Sequence, residues 1–588
     1  MNRKILFLTS IIVIILCFEL NAQNSVTVRK VEFAGNLSAP SAEIKKGWEL
    51  KKGRIFNKQK LAESVDKYER YLNDLGYLFM RIDSVQTVYE KDSTAVLLRI
   101  YGDEGKRVVW GNIEVKSDSV SADLYRRQLN VTENSNYSRS GLEKDLKRLL
   151  SVAADSGFLF AEVDFQNMQF RPEDNNYYLD INIKINENER ASIQNILVKG
   201  NHYTRDHVIL RELNVSNGDV YSDRRIKQIP EKLTRLSFFK NVKKPAIIMN
   251  GEKDIDLVIE VEEGNATYFD GVVGYIPGDN TVANPDGYFT GLVDLNFKNL
   301  FGTGRQFDIH WKKADQYSEE FSLAYTEPWI LGYPLDLGLG LDRVVRDSTY
   351  VEWNYSLNAR LKIFDNLSLV SLLEQKTVTP DSAASRDLRL AKNSVLNMEI
   401  GVEYDTRDYQ INPRSGIFYN SSYSYGVKNN LGPDYLLDED NISKSEELQT
   451  IKLKFEWFYN FYKNQVFSVS MNANQIKGDR LQLSDYFWFG GARSLRGYRE
   501  NQFRGDIIAW SNIEYRFILN RNSRIFLFSD WGYYQYTEND RVVDDTLPGY
   551  GLGIRMDTPM GILGVDFGLG RGDSFSEGKI HFGIINRF

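Results

Sequence analysis

The chain has 588 residues, enough for several domains, and a formal net charge of −7 at pH 7. This acidic balance provides no global basic surface, so a nucleic-acid partner is not expected. Aromatic residues make up 13% of the chain, and 43 glycines stand against 13 prolines, a composition that favours strands with many side chains between apolar and polar surroundings.

The N-terminus has the pattern of an export signal. Positive charges precede an almost wholly apolar run from Ile5 to Phe18, and the small residue Ala22 follows a polar break. The apolar run is shorter than the roughly 20 residues of a transmembrane helix, so a cleaved signal peptide is predicted at 1–22. The sole cysteine, Cys17, lies within it, so the mature chain is expected to have no disulfide.

The next part of the chain repeats one pattern three times. Each block opens with a strand, continues through two helix-like stretches and closes with two strands, which is a βααββ order. The opening strands read VTVRKVEFAGN, VVWGNIEV and ASIQNILVKGN. The acidic pair Glu262-Glu263 is interpreted as a domain boundary rather than as an acid/base site. The pattern predicts three α+β domains, at 23–105, 106–190 and 191–263.

From residue 264 onward, apolar and polar residues alternate with a period of two. In the clearest segment, 351–363, seven apolar residues alternate with six polar ones. Such a strand offers one face to lipid and the other to water, which is the pattern of transmembrane β-strands. Similar segments between 267 and 588 predict an antiparallel transmembrane barrel of about 16 strands at 264–588.

The connections and the two end strands carry further information. Long connections are expected outside the cell and short turns in the periplasm. The predicted long connections are 378–393, 428–448, 478–506 and 534–547. Gly271 and Gly274 in the first barrel strand should weaken packing at the seam, and Phe588 ends the last strand.

The sequence supplies no catalytic motif. It has no Walker loop, CxxC or G-x-S-x-G elbow, and His202 and His207 are five residues apart without a third metal ligand. We therefore expect a protein that is not an enzyme and that uses neither a cofactor nor a metal.

The motifs, taken in order, resemble a known family. The blocks are similar to polypeptide-transport-associated (POTRA) repeats, and the second half resembles the barrel of the outer-membrane assembly factors of the BamA/TamA type. The three repeats favour a TamA-like member. The resemblance covers essentially the whole mature chain and rests on NLFGTGRQ (299–306), YTEPW (325–329), YDTRDYQINPRSG (404–416), GGARSLRGY (490–498), FSDWG (528–532), GLGIRMDTPMG (551–561) and IHFGIINRF (580–588).

The resemblance implies a function in the outer membrane of a Gram-negative bacterium. Periplasmic POTRA repeats would receive unfolded outer-membrane proteins, and the barrel would insert these clients into outer-membrane lipid at the seam between its first and last strands. The sequence leaves open whether an inner-membrane or lipoprotein partner is required. The alternative is a secretion transporter that passes a polypeptide through the lumen, although such proteins usually carry two repeats and a plug helix that is not found here.

One stretch, 490–505, collects four arginines between glycines. Composition alone suits a solvated loop or a phosphate-binding patch. The resemblance instead places it in a long loop that folds back into the barrel. The motif residues are Gly490, Gly491, Arg493 and the tip Arg496-Gly497-Tyr498.

An enclosed arginine needs carboxylate partners, because an unpaired buried guanidinium is costly. Strand alternation turns Glu514 and Asp566 toward the lumen, and Asp530 is assigned inward because charge on the lipid face is penalised. The resemblance favours Asp530 as the partner of Arg496, with Glu514 or Asp566 as support. Arg499 and Arg504 are expected on a solvated flank of the loop.

Overall fold

The computed structural model describes most of the chain. The described residues are 26–35, 46–90, 94–173, 176–251, 253–276, 288–313, 315–347, 349–439, 442–538, 541–558 and 561–585. The predicted signal peptide at 1–22 and the terminal Phe588 lie outside them. Within the described residues, no helix is both long and apolar enough to cross a membrane.

The chain forms two compact units. The first extends to Asn195 and also contains Asn217–Ile226 and Ile247–Leu257. The second consists of Ile196–Ser216, Lys227–Ala246 and Val258–Phe588. The third repeat therefore contributes residues to both units, and its loop and helix residues in the second unit share that unit with the barrel strands.

The three repeats contain the α/β elements expected from the sequence. In the first repeat the described elements are β1 (Thr27–Gly35), α1 (Lys58–Asp74), β2 (Arg81–Tyr89) and β3 (Ala95–Asp103). The second has β4 (Arg107–Ser117), α2 (Ala122–Arg126), α3 (Arg139–Asp155), β5 (Glu162–Glu173) and β6 (Asn176–Asn186). The third has β7 (Ser192–Lys199), α4 (Asp206–Leu210), α5 (Asp223–Arg235), β8 (Phe239–Val242), β9 (Ala246–Met249) and β10 (Asp254–Glu263).

Helix α1 shows how local chemistry sets the two ends of a repeat helix. Helix α1 starts after Asn57, whose side chain accepts a hydrogen bond from the backbone N–H of Lys60 at 2.6 Å. Gly76, with φ of +95°, follows its last turn. The helix buries Tyr68 and Leu72 against the sheet of its repeat.

The sheet of each repeat places its last strand in the centre. The strand orders are β1-β3-β2, β4-β6-β5 and β7-β10-β8, with β9 also paired to β10. The third repeat differs from the expected pattern because its penultimate strand is divided into β8 and β9. Pro245 lies in the break and has no N–H to donate to a sheet.

The second half of the described chain forms a 16-stranded sheet, which confirms the predicted fold class. Adjacent strands run antiparallel, as in the pairing of β16 with β17. The strands are β11 (Thr267–Ile276), β12 (Tyr288–Leu300), β13 (Arg305–Lys313), β14 (Glu319–Glu327), β15 (Leu335–Arg346), β16 (Tyr350–Phe364), β17 (Leu367–Pro380), β18 (Lys392–Asp405), β19 (Gly416–Gly432), β20 (Ser445–Tyr462), β21 (Gln465–Lys477), β24 (Ile507–Ile518), β25 (Arg524–Glu538), β26 (Arg541–Thr558), β27 (Gly561–Leu569) and β28 (Lys579–Ile585).

The two faces of this sheet differ as the alternation predicts. On β25, Leu527 and Trp531 are exposed, whereas Phe526, Phe528 and Asp530 are buried on the other side. Because the exposed set is apolar, it suits lipid, and the buried face is the lumen side.

Within the described residues, three connections between barrel strands contain an α-helix or a hairpin. Helix α6 (Ser382–Asp387) joins β17 to β18, and α7 (Asp434–Glu439) joins β19 to β20. The connection 478–506, called the long loop below, contains the small hairpin of β22 (Phe487–Phe489) and β23 (Phe503–Gly505). The prediction of a long connection at 534–547 is wrong. Strand β25 continues to Glu538 and strand β26 begins at Arg541, so most of this range belongs to the two strands.

Candidate functional site

The site centres on the long loop, where a tight turn positions Arg496. The N–H of Gly490 donates to the hydroxyl of Ser494 at 2.8 Å, and the N–H of Gly491 donates to the carbonyl of Leu495 at 3.0 Å. Both glycines have positive φ, +125° and +88°, which other residues rarely adopt. The turn thus fixes the backbone immediately before the arginine.

Arg496 lies between two carboxylates from neighbouring strands. Its Nε and Nη2 donate to the two oxygens of Asp530 at 2.8 and 2.7 Å, a bidentate arrangement. Its Nη1 donates to Oε1 of Glu514 at 2.6 Å, and its backbone N–H also donates to Asp530 at 3.0 Å. Arg496 is 4% exposed, Asp530 0% and Glu514 7%. A buried guanidinium is therefore matched by charge and by hydrogen bonds.

The surroundings complete this charge cluster. Arg516 donates from Nε to the second oxygen of Glu514 at 2.7 Å, so two arginines face two carboxylates. The guanidinium carbon of Arg496 lies 3.7 Å from the ring centroid of Phe528. A planar cation suits both a bidentate carboxylate and a ring face, so this position favours arginine over lysine.

The tip of the loop packs closely against the last strands of the sheet. Gly497 has φ of +93°, and a Cβ there would lie 2.6 Å from the carbonyl carbon and oxygen of Leu569. The hydroxyl of Tyr498 donates to the carbonyl of Pro548 at 2.8 Å and accepts from the N–H of Arg571 at 3.0 Å. The Arg-Gly-Tyr tip is thus held through all three residues.

The remaining loop arginines have different surroundings. Arg493 and Arg499 are exposed. Arg504 departs from the expected solvated flank, because its guanidinium lies 5.6 to 5.9 Å from the ring centroids of Tyr486, Trp488 and Tyr536. No local pattern predicts these ring contacts, because two of the rings are more than fifteen positions away along the chain and the third is more than thirty away.

Asp566 requires a correction as a support for the loop. Its two oxygens accept hydrogen bonds at 2.5 and 2.8 Å from Arg555 on β26, so the structure assigns it a partner within the wall. Asp566 is paired with Gly553, two residues before Arg555, and this diagonal position brings the two side chains together. Glu514, in contrast, contacts Arg496 directly.

Of the predicted seam residues, Gly271 and Gly274 lie on the strand at one end of the sheet, and Phe588 lies outside the described residues. Strands β11 and β28 form the two ends, and no pairing joins them within the described residues. Gly271 pairs with Val293 and Gly274 with Thr290 on β12. A Cβ at Gly271 would approach the ring of Phe269 to 3.1 Å, so the glycine leaves space for that ring.

The sequence did not predict how the third repeat contacts the periplasmic turns within the second unit. The carboxylate of Glu263 accepts hydrogen bonds from three successive backbone N–H groups, at 2.8, 2.9 and 2.6 Å, from His202, Tyr203 and Thr204. Burial alone would raise the pKa of Glu263, but the Thr204 side chain and these N–H groups outweigh it and lower the pKa below its usual value.

The segment held by Glu263 continues into the first barrel turn. The hydroxyl of Thr204 accepts a hydrogen bond from Asn299 at 2.8 Å, and Asn299 in turn accepts from the N–H of Gly304 at 2.7 Å. The N–H of Arg205 donates to the carbonyl of Gly302 at 2.9 Å. The NLFGTG motif is therefore a docking turn for the third repeat.

Two more periplasmic turns form polar contacts with the third repeat. Glu212 accepts from the indole Nε1 of Trp329, in the YTEPW motif, at 2.6 Å. Lys232 and Asn214 both bind Asp365, at 2.8 and 3.0 Å. Polar contacts between distant segments have no signature in a single sequence, which explains why these residues were missed.

Comparisons with known proteins agree with this architecture. The model for the Omp85 superfamily domain matches residues 299–588, and the model for POTRA, surface antigen variable number repeat, matches 26–105, 108–188 and 191–264. Outer membrane protein assembly factor BamA of Nitratidesulfovibrio vulgaris is 22% identical, over 95% of this chain and 73% of that protein. BamA of Neisseria meningitidis is 24% identical, over 53% of this chain and only 39% of that protein.

A solved structure shows the same fold at low identity. CdiB from Escherichia coli is 13% identical, with a TM-score of 0.50, and the match covers 79% of this chain and 86% of that chain. At this identity the likeness concerns the fold alone.

Proposed function

Since the chain belongs to the Omp85 superfamily, with three POTRA repeats before its barrel domain, we propose that it assembles outer-membrane proteins by inserting them into the bilayer. The barrel lies in the outer membrane and the repeats in the periplasm. Unfolded barrel proteins are the clients. The relatives named assembly factor BamA support this proposal.

The observation that carries the proposal is the buried cluster around Arg496. It fixes the long loop on the lumen face of the sheet through Asp530 and Glu514. A transported polypeptide would need the lumen, and a loop held there by several charge-assisted hydrogen bonds occupies that path. An insertase leaves the lumen closed and works at the barrel wall.

The ends of the sheet offer a place where insertion can occur. A strand edge with unpaired N–H and C=O groups is a template for another strand. Strand β11 lies at such an edge and carries Gly271 and Gly274, which reduce side-chain packing there. A client strand can pair with this edge and enter the adjacent lipid.

Insertion of this kind needs no cofactor and no bond-making chemistry. Backbone groups that enter lipid must be paired, so pairing on a template strand removes the main obstacle to entry. The free energy comes from the folding of the client, whose apolar face becomes buried in lipid. The protein lowers the activation barrier to insertion and does not supply the free energy for it.

A polypeptide transporter is the second candidate function. The likeness to CdiB concerns the fold alone and does not favour it. Depletion of the chain followed by outer-membrane proteomics separates the two functions. We expect the amounts of a set of barrel proteins in the outer membrane to fall while the amounts of secreted proteins stay constant. The Arg499→Ala variant should restore the barrel proteins, and the Arg496→Ala variant should not. A fall in secreted proteins with unchanged barrels would contradict the insertase.

A further inference from the structure

The first part of the long loop contains a second buried ion pair, apart from the Arg496 cluster. The ammonium of Lys428, on β19, lies 2.5 Å from Oδ2 of Asp485, and the two side chains are 0% and 2% exposed. The same carboxylate oxygen accepts the N–H of Gln482 at 2.8 Å. Asp485 therefore both closes a turn in the loop and ties that turn to the wall.

A second lysine holds the neighbouring residue. Lys376, on β17, donates to the backbone carbonyl of Ser484 at 2.9 Å and forms an ion pair with Glu352 on β16 at 3.2 Å. Between these contacts, Leu483 packs on a small buried cluster composed of Tyr350, Val378 and Leu390. The turn 482–485 is thus fixed to β16, β17 and β19 by charge and by apolar contact.

The two attachments of the loop lie on different parts of the sheet. Strands β17 and β19 are the seventh and ninth of the 16 strands, whereas β25, which bears Asp530, is the thirteenth and β27, which touches Gly497, is the fifteenth. When a sheet of 16 strands curls into a barrel, strands eight positions apart face each other across the lumen. Strands β17 and β27 are eight positions apart, whereas β19 and β25 are four apart, so the loop crosses the lumen between two separate stretches of the wall.

We propose that Lys428 and Asp485 form a second anchor of the long loop, so that the loop is a strap that is tied to two separate stretches of the barrel wall and closes the outer mouth of the barrel to solutes. The inference rests on the proposed function, in which the lumen is not a path for substrate. Lys428 and Asp485 are positioning residues, because they act on permeability through the loop.

Burial makes the second anchor strong. Removing one member of a buried pair strands the other charge away from water, whereas replacing both by apolar residues removes the penalty. Lys428 is also paired across the sheet with Glu446, which is 3% exposed, so the site has a surplus of carboxylates once the lysine is removed. Loss of the lysine should therefore release the turn.

Single-channel recording on the purified full chain in planar bilayers tests the strap. We expect Lys428→Met and Asp485→Leu each to raise the fraction of time that the channel is open by about tenfold or more. The double variant should lie closer to the wild type than Lys428→Met, because it also removes Asp485 and leaves Glu446 as the one carboxylate that faced the lysine. The matched control is Lys452→Met, which removes a lysine on β20 that donates at 2.9 Å to the carboxylate of Glu399 on β18, two strands away.

The outcomes separate the strap from the proposed function. If Lys428→Met folds, as shown by its heat-modifiable migration, and conducts no more than wild type, the second anchor is wrong and the insertase is untouched. An increase of equal size in Lys452→Met would also overturn the anchor. A wild-type chain that conducts as a permanently open pore would instead contradict the closed lumen of the proposed function.

Discussion

At the scale of single residues, the site depends on matching buried charge. Arg496 donates four hydrogen bonds to two carboxylates and lies against an aromatic ring, so little of its cationic surface lacks a partner. The exposed Arg499 belongs to the same loop but is solvated. Two arginines three positions apart should therefore differ widely in their effect on stability and function.

Substitution of Arg496 should show this difference. Arg496→Ala and Asp530→Ala are each expected to cost about 3 to 5 kcal/mol, because each strands a buried charge, while Arg499→Ala should cost about 0 to 1 kcal/mol. Arg496→Lys should be milder because it keeps the charge but loses the bidentate geometry. Urea unfolding of the purified barrel followed by tryptophan fluorescence measures the loss. If Arg496→Ala and Arg499→Ala lowered the free energy of unfolding equally, the loop would be a basic patch without a specific ion pair.

Glu263 makes a pH-dependent contact at the junction of the third repeat and the barrel turns. Its pKa is lowered in the folded protein, so its stabilisation is complete above its usual pKa and is lost as the pH falls through the folded value. Hydrogen exchange at the amides of His202, Tyr203 and Thr204 reports directly on the three bonds that the carboxylate accepts.

The matched variant is Glu263→Gln. At neutral pH, we expect it to lower the protection of these amides by about tenfold, because hydrogen bonds to a charged group contribute about 1.5 to 3 kcal/mol. Below the folded pKa the wild type and the variant should show the same protection. A difference that persisted unchanged in acid would show that the carboxylate charge is not responsible.

At the scale of elements, alternation predicted the strands wherever lipid and lumen impose different faces. The predicted segment 351–363 became β16 (Tyr350–Phe364). The same reasoning failed at 534–547, where charged residues such as Asp544 and Asp545 continue β26. A strand that extends beyond the bilayer has water on both faces, so its sequence need not alternate.

The site was predictable only in part from sequence. Arg496 and its carboxylates stand in recognisable motifs, and the structure brings Arg496, Asp530 and Glu514 together. The pairing of Lys428 with Asp485 joins ordinary polar residues 57 positions apart, which no local pattern reveals. The choice between a TamA-like and a BamA-like member stays a prediction.

Two glycines in periplasmic turns test how closely the third repeat approaches the barrel. Gly302 and Gly332 both have positive φ, +69° and +80°. A Cβ at Gly302 would lie 2.0 Å from the carbonyl oxygen of Tyr203, whereas one at Gly332 would meet nothing within 4 Å. Both alanine variants carry similar backbone strain, so their difference isolates the contact.

We expect Gly332→Ala to cost about 1 kcal/mol and Gly302→Ala to cost a further 1 to 3 kcal/mol or so from overpacking. Exchange protection of the Arg205 amide, which donates to the carbonyl of Gly302, should fall only in Gly302→Ala. Equal behaviour of the two variants in both measurements would mean that the third repeat does not rest on this turn.

At the scale of the whole molecule, the structure combines a long loop held on the lumen face with a sheet whose end strands, β11 and β28, do not pair with each other within the described part of the chain. The loop attachment through Arg496 argues against passage through the barrel, and in the proposed function the β11 edge is the template for a client strand. The three repeats add further sheets on the periplasmic side, where strand edges can receive an extended chain.

The most direct test measures the folding of a urea-denatured barrel client into vesicles that contain the purified full chain. If the chain inserts barrel proteins, the client should reach its heat-resistant, protease-protected form faster in vesicles with the wild-type chain than in empty vesicles or in vesicles with the Arg496→Ala variant. The wild-type vesicles should also stay closed to small solutes. Wild-type vesicles that fold the client no faster than empty ones, yet pass an unfolded polypeptide into their interior, would contradict the proposed function.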